Sequence, residues 1–188
     1  MEIVETLVLT LVIFLVIQNF VAQPYRVQQQ SMEQTLEPEQ YVLVDKLTPR
    51  FDAYHRGDIV VFNPPSAWAQ QGDGTPYIKR IIGVGGDTVE VREDGFVYVN
   101  GARLSEPYLF SVDGEPQPTV AFGQTRWLVP QGEFFVMGDH REKSADSRSF
   151  STIPASSIVG RAWLRYWPFN TFGILASPSH SELPSPAP

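Results

Sequence analysis

The chain has 188 residues, a net charge of −7, 16 prolines, 14 glycines and no cysteine. That length allows one compact domain with appendages, and a body of roughly 150 residues buries enough surface to need no covalent staple. The missing cysteines exclude disulfides, thiolate catalysis and cysteine-ligated metal. The acidic balance argues against nucleic acid as a partner, which needs a basic surface.

Ile3 to Ala22 is mostly apolar, and only Thr10 interrupts the run from Leu7 to Ile17. Twenty helical residues span about 30 Å, the thickness of a bilayer core, so residues 1–23 are read as a transmembrane anchor. A cleaved signal peptide is the first rival. It lacks a basic leading region, and Phe20-Val21-Ala22 puts a bulky residue where a small one is wanted. A buried core helix is the second. No Lys or Arg precedes the segment and Arg26 follows it, so the positive-inside rule does not favour an outside C-terminus.

From Pro24 the pattern is β. Tyr41-Val42-Leu43-Val44 and Asp58-Ile59-Val60-Val61-Phe62 read as short buried strands. Residues 63–75 contain Pro64, Pro65, Gly72 and Gly74 and read as an exposed loop. Tyr77 to Val84 is a strand that carries Lys79-Arg80, and Gly85-Gly86-Asp87 turns the chain. Thr88 to Arg92 and Phe96 to Val99 alternate around Glu93-Asp94-Gly95 as a hairpin, with Asn100-Gly101 as a second tight turn. Residues 105–132 begin as a Pro/Gly-rich connection, a possible small cap or lobe. Arg126 to Val129, Glu133 to Met137 and Ile158 to Trp167 supply further strands. The catalytic body is placed at residues 24–176, and the Ser/Pro-rich tail 177–188 reads as disordered. Strands without intervening amphipathic helices predict a mostly β barrel or sandwich.

With no cysteine, three lysines and three histidines, nucleophilic chemistry falls to a hydroxyl, and few bases could activate it. Three segments place polar residues in apolar, turn-bounded frames: Gln30-Ser31-Met32-Glu33-Gln34-Thr35-Leu36, Tyr77-Ile78-Lys79-Arg80-Ile81-Ile82-Gly83, and Met137-Gly138-Asp139-His140-Arg141 with Ser144-Ala145-Asp146-Ser147-Arg148. Taken singly each has an ordinary structural reading: a turn serine, a lysine that blunts a sheet edge, and a polar loop with an internal ion pair. A lysine of ordinary pKa near 10.4 is neutral in only about 0.04% of molecules at pH 7. Lowering it to about 7–8 takes about 4 kcal/mol of differential desolvation, which Ile78, Ile81 and Ile82 could supply. Lys46 ends a strand before a Pro-containing loop and Lys143 sits among charges, so both are poorer candidates.

Together these segments resemble type I signal peptidases over most of the chain. The order is an N-terminal apolar segment, Ser-Met-x-x-Thr-Leu from Ser31, Gly-Asp-Ile-Val-Val-Phe from Gly57, Lys-Arg-Ile-Ile-Gly from Lys79, and Gly-Asp-x-Arg-x-x-Ser-x-Asp-Ser-Arg from Gly138. The Trp167-Pro168-Phe169-Asn170 ending is also similar. The resemblance implies a membrane-anchored serine endopeptidase on the extracytoplasmic face that removes signal peptides from secreted precursors after small-x-small sites. Ser31 would attack the peptide carbonyl and Lys79 would serve as general base. Ser144 would hydrogen-bond the lysine, and Asp146 and Arg148 would hold that loop by an ion pair. The Ser31 amide and Gln29 would stabilise the oxyanion, and Met32 would line a substrate pocket. No cofactor or metal is implied, and the partners are the precursor and the lipid bilayer. Gln29-Gln30, Gln34, Gly85 and His140 depart from the family's usual residues. Three rivals remain: a histidine base at His140 beside Asp139, a self-cleaving repressor-type Ser/Lys peptidase, and a membrane-anchored β-barrel binding protein or inactive relative.

Overall fold

The computed structural model describes residues 2–69, 74–178, 180 and 183–186. Helix α1 (Glu2–Val16) passes through a π turn (Ile17–Val21) into β1 (Ala22–Arg26). Then come β2 (Tyr41–Asp45), β3 (Ile59–Phe62), a short α2 (Ser66–Ala69), β4 (Tyr77–Val84), β5 (Thr88–Val91), β6 (Val97–Val99) and β7 (Ala102–Arg103). They are followed by β8 (Ser111–Val112), β9 (Glu115–Pro116), β10 (Arg126–Leu128), β11 (Glu133–Met137), α3 (Ser147–Phe150), β12 (Ile153–Pro154), β13 (Ile158–Trp167) and β14 (Gly173–Ile174).

The protein is mostly β, as its sequence predicts. One eight-stranded antiparallel sheet runs β1-β2-β13-β3-β4-β11-β12, with β14 on β13. A four-stranded sheet runs β10-β5-β6-β7, and β8 and β9 pair alone. The register of β13 slips at three places, between Ile158 and Gly160, Ala162 and Leu164, and Arg165 and Trp167. Such irregularities bend a strand and raise its twist. Gly160 permits one close approach there, since a Cβ would stand 2.4 Å from the Asp45 carbonyl.

Three apolar clusters hold these layers together. Val89, Val91, Val97, Val99 and Trp127 of the small sheet pack on Ile82, Phe135 and Met137 of the large one. Val27, Met32, Leu36, Val42, Val44, Ile59 and Val61 form the second cluster. Val60, Phe62, Ile81, Val136 and Ile153 form the third. The period-two burial of β2 explains this division, because Val42 and Val44 are buried while their neighbours are not.

The ends differ from expectation. Ala22 and Gln23, placed in the anchor from sequence, pair with Asp45 and Val44 in β1. Among the described residues no helix is long and apolar enough to cross a membrane. The tail, expected to be disordered, lies on the body where it is described. Leu183 is buried in the first cluster, and the Pro184 carbonyl accepts from Arg56 at 3.1 Å. His180 is buried as well. Residues 179, 181, 182, 187 and 188 of that tail, and 70–73 of the expected loop, lie outside the described residues.

Candidate active site

Ser31 occupies a 3-10 turn, Gln30–Met32, on the connection between β1 and β2. The turn is anchored by its neighbour, since Met32 is fully buried in the second cluster. The Ser31 hydroxyl is 2.7 Å from Lys79 Nζ. Lys79 enters from the middle of β4, is 1% exposed, and also donates to the Ile78 carbonyl at 3.0 Å. The Tyr77 ring lies 5.3 Å from Nζ. Burial pulls the Lys79 pKa down from 10.5 to about 8, Asp146 and Asp139 oppose that fall, and Arg148 assists it. Desolvation wins because both carboxylates are already engaged by arginines.

The loop after β11 closes the other side. Asp146 accepts from Arg148 Nε and Nη2 at 2.9 Å each, from Ser144 Oγ at 2.7 Å and from the Gly138 amide at 3.1 Å. Burial alone would raise the Asp146 pKa, but Arg148 and these donors hold it below the usual carboxylate range. Ser144 was expected to bond the lysine. Its hydroxyl instead donates to Asp146 and accepts from the Gly138 amide at 3.2 Å, because the carboxylate is the stronger acceptor within reach. Gly138 passes so near Ser31 that a Cβ would stand 2.5 Å from the Ser31 carbonyl and 2.4 Å from Ser144 Oγ.

Two further expectations shift. Met32 was expected to line a substrate pocket, yet it is a core residue with no exposed surface. The cleft of about 220 Å³ beside the site is lined instead by residues that include Tyr25, Gln29, Val42, Val61, Tyr77 and Ile78. Gln29 is therefore at the cleft, exposed and without a capping bond to the turn. His140, the rival base, is committed elsewhere: Nδ1 is 2.6 Å from Glu33 Oε2, and the ring stacks on Phe110 at 3.9 Å. Gln34 has φ 70°, which a proline could not adopt. Its side-chain amide exchanges two 3.0 Å bonds with the Ser111 backbone, which ties the β8–β9 hairpin to the loop that carries Ser31.

Sequence reasoning missed the partners of Arg80. The guanidinium binds Asp139 through Nε at 2.9 Å and Nη2 at 2.7 Å, and stacks over the Tyr108 ring at 4.0 Å. Lys79-Arg80 and Gly138-Asp139 were both visible as motifs, but only the register of β4 against β11, Arg80 opposite Met137, joins them.

A buried hydroxyl in contact with a buried, partly deprotonated amine, on a β scaffold and beside an apolar cleft, belongs to the serine peptidases. The family model described as "Signal peptidase, peptidase S26" matches residues 1–167. The chain is 38% identical over 180 residues to a signal peptidase I of Leptolyngbya laminosa, covering 95% of this chain and 85% of the relative. It is 37% identical over 177 residues to signal peptidase I S of Bacillus subtilis (strain 168), covering 90% of each. A crystal structure of a signal peptidase I from Enterococcus faecalis V583 aligns at 36% identity with a TM-score of 0.47, over 58% of this chain and 97% of that one. The chain belongs to the signal peptidase family, peptidase S26.

Proposed function

We propose that this chain is a signal peptidase I that removes signal peptides from precursor proteins with Ser31 as nucleophile and Lys79 as general base. The observation that carries the reading is the 2.7 Å contact between Ser31 Oγ and Lys79 Nζ. With a pKa of about 8, about a tenth of the amines are neutral at pH 7, against well under 0.1% for an ordinary lysine. The neutral amine takes the hydroxyl proton as Oγ bonds to the scissile carbonyl carbon. The ammonium then protonates the leaving amine as the C–N bond breaks, and water hydrolyses the acyl-enzyme by the same route.

The oxyanion would face the Ser31 amide, since the leading amides of a helical turn have no partner within it. Gln29 would be the second donor. Small side chains of the precursor would enter the cleft between Gln29 and Ile78, whose apolar walls and modest volume suit a small-x-small site. Asp146 and Arg148 would hold the loop after β11 beside Lys79 through their ion pair, with Ser144 bonded to Asp146.

We place the protein in a membrane by α1. Its apolar side chains, Ile3 to Val16, are all exposed and none is buried. A patch of this size on every face of a helix suits lipid rather than water. The α-helix alone, 15 residues, is about 22 Å long, and the π turn to Val21 extends it toward bilayer thickness. The catalytic body would stand on the extracytoplasmic face, where precursor and enzyme share one bilayer and their effective concentration rises. The test is cleavage of a precursor ending in Ala-x-Ala by the wild type, Ser31→Ala and Lys79→Ala. Silence of both variants, with folding intact, supports the dyad; loss in His140→Ala with retention in Lys79→Ala would sink it.

A further inference from the structure

Two separate stretches of chain meet at the dyad, and the contact between them is specific. The Ser31 turn comes from the β1–β2 connection, whereas Asp139 and His140 come from the loop after β11. The His140 amide donates to the Ser31 carbonyl at 3.0 Å. The His140 ring, 3% exposed, binds Glu33 two residues beyond the nucleophile at 2.6 Å. Phe110 lies flat on that ring, 3.9 Å away and 6° from parallel, and its amide donates to the Asp139 carbonyl at 3.1 Å.

We infer that Glu33 and His140, seated on Phe110, form a clamp that positions Ser31 Oγ against Lys79. This rests on the Ser/Lys reading above and adds positioning residues to it. The histidine reaches the nucleophile twice, through its own amide to the Ser31 carbonyl and through its ring to the Glu33 side chain. With the ring pinned, the amide is held in place and the 3-10 turn cannot roll. A short turn needs such a tie, because 3-10 hydrogen bonds have poor geometry and hold few residues. Neither side chain takes a proton from the reacting hydroxyl. The Nδ1–H donates to the Glu33 carboxylate, so a glutamine at that position still offers an acceptor.

The test compares Glu33→Ala, His140→Phe, their double variant and Glu33→Gln in the full chain, with a precursor ending in Ala-x-Ala. His140→Phe keeps a ring for Phe110 to stack on and removes only the bond. Each single variant is expected to lower kcat by roughly 10- to 100-fold, the loss that small misplacements of reacting atoms produce, with KM little changed. The double variant should be no worse than the singles, as for two halves of one contact, and Glu33→Gln should restore most of kcat. Unchanged kcat in both singles, losses that multiply in the double, or a rise in KM alone would overturn the clamp. Ser31→Ala and Lys79→Ala are assayed alongside. Turnover by either overturns the dyad and the clamp together, whereas silence of both with normal clamp variants overturns the clamp alone.

Discussion

Lys79 and Arg80 are adjacent cations in β4, and successive side chains of a strand leave it on opposite sides. Each is 1% exposed, yet they live in opposite electrostatic worlds. Arg80 meets a bidentate carboxylate, two main-chain carbonyls and an aromatic face. Burial opposes its charge, but Asp139 outweighs that and raises its pKa above the ordinary value. Lys79 meets a hydroxyl, one carbonyl and a ring. One site satisfies its cation; the other leaves it underpaid in contacts and willing to give up a proton. The difference between structure and chemistry here is the supply of acceptors, since burial is the same.

Substitution at the two positions separates them most sharply. Lys79→Met should abolish precursor cleavage, with a fall in kcat/KM of about 10⁴-fold or more, and yet leave a fold at least as stable as the wild type. The displacement of its pKa from 10.5 to about 8 corresponds to about 3 kcal/mol of desolvation cost at neutral pH. Arg80→Met should do the reverse to stability. It strands Asp139 as a buried charge, and urea titration should show a loss of about 3–5 kcal/mol. Equal destabilisation by both would erase the contrast.

A second way to sharpen it is pH. Below about pH 8 the folded and unfolded chains both carry the Lys79 proton, and the folded chain bears the full cost. Between about 8 and 10.5 only the unfolded chain keeps the proton, so the contribution of this group to stability grows as pH rises through that window and is lost as pH falls through 8. Activity at limiting substrate should rise about tenfold per pH step below 8 and flatten above it. A profile whose base titrates near 6.5 would point to histidine instead.

Smaller effects concern the loop between the two cations' partners. Gly138→Ala should lower kcat by roughly 10-fold or more, because its Cβ would push on the Ser31 carbonyl and Ser144. Ser144→Ala should be the mildest, within roughly tenfold in kcat, since that hydroxyl touches Asp146 rather than the amine. Steady-state cleavage of one precursor by both variants ranks them; a larger loss in Ser144→Ala would mean that the serine turns to the lysine during turnover.

Much of this was legible beforehand. Tyr77–Val84, Glu133–Met137 and Ile158–Trp167 read as strands at the bounds they have, because long apolar runs between Gly and Pro leave little choice. Ser31 and Lys79 were legible as motifs, and their approach was an expectation that the fold had to meet. Strand β1 was missed where Pro24 weakens the pattern; proline is tolerated there because β1 is the edge of its sheet. The β8–β9 hairpin carries its signal in Asp113-Gly114, both at positive φ, but two-residue strands have no periodicity to read. The true partner of Ser144 and the burial of Met32 depend on how distant segments meet. A linear pattern does not carry that information.

The arrangement around Asp146 has an economic side that reaches beyond the loop. Its two oxygens are fully subscribed by Arg148, Ser144 and Gly138, so no lone pair is left over to court the amine nearby. Were the guanidinium withdrawn, the carboxylate's pull on the Lys79 ammonium, already the largest influence opposing burial, would lose the cation that offsets it. With Asp146 engaged by Arg148, burial rather than charge dominates the Lys79 pKa.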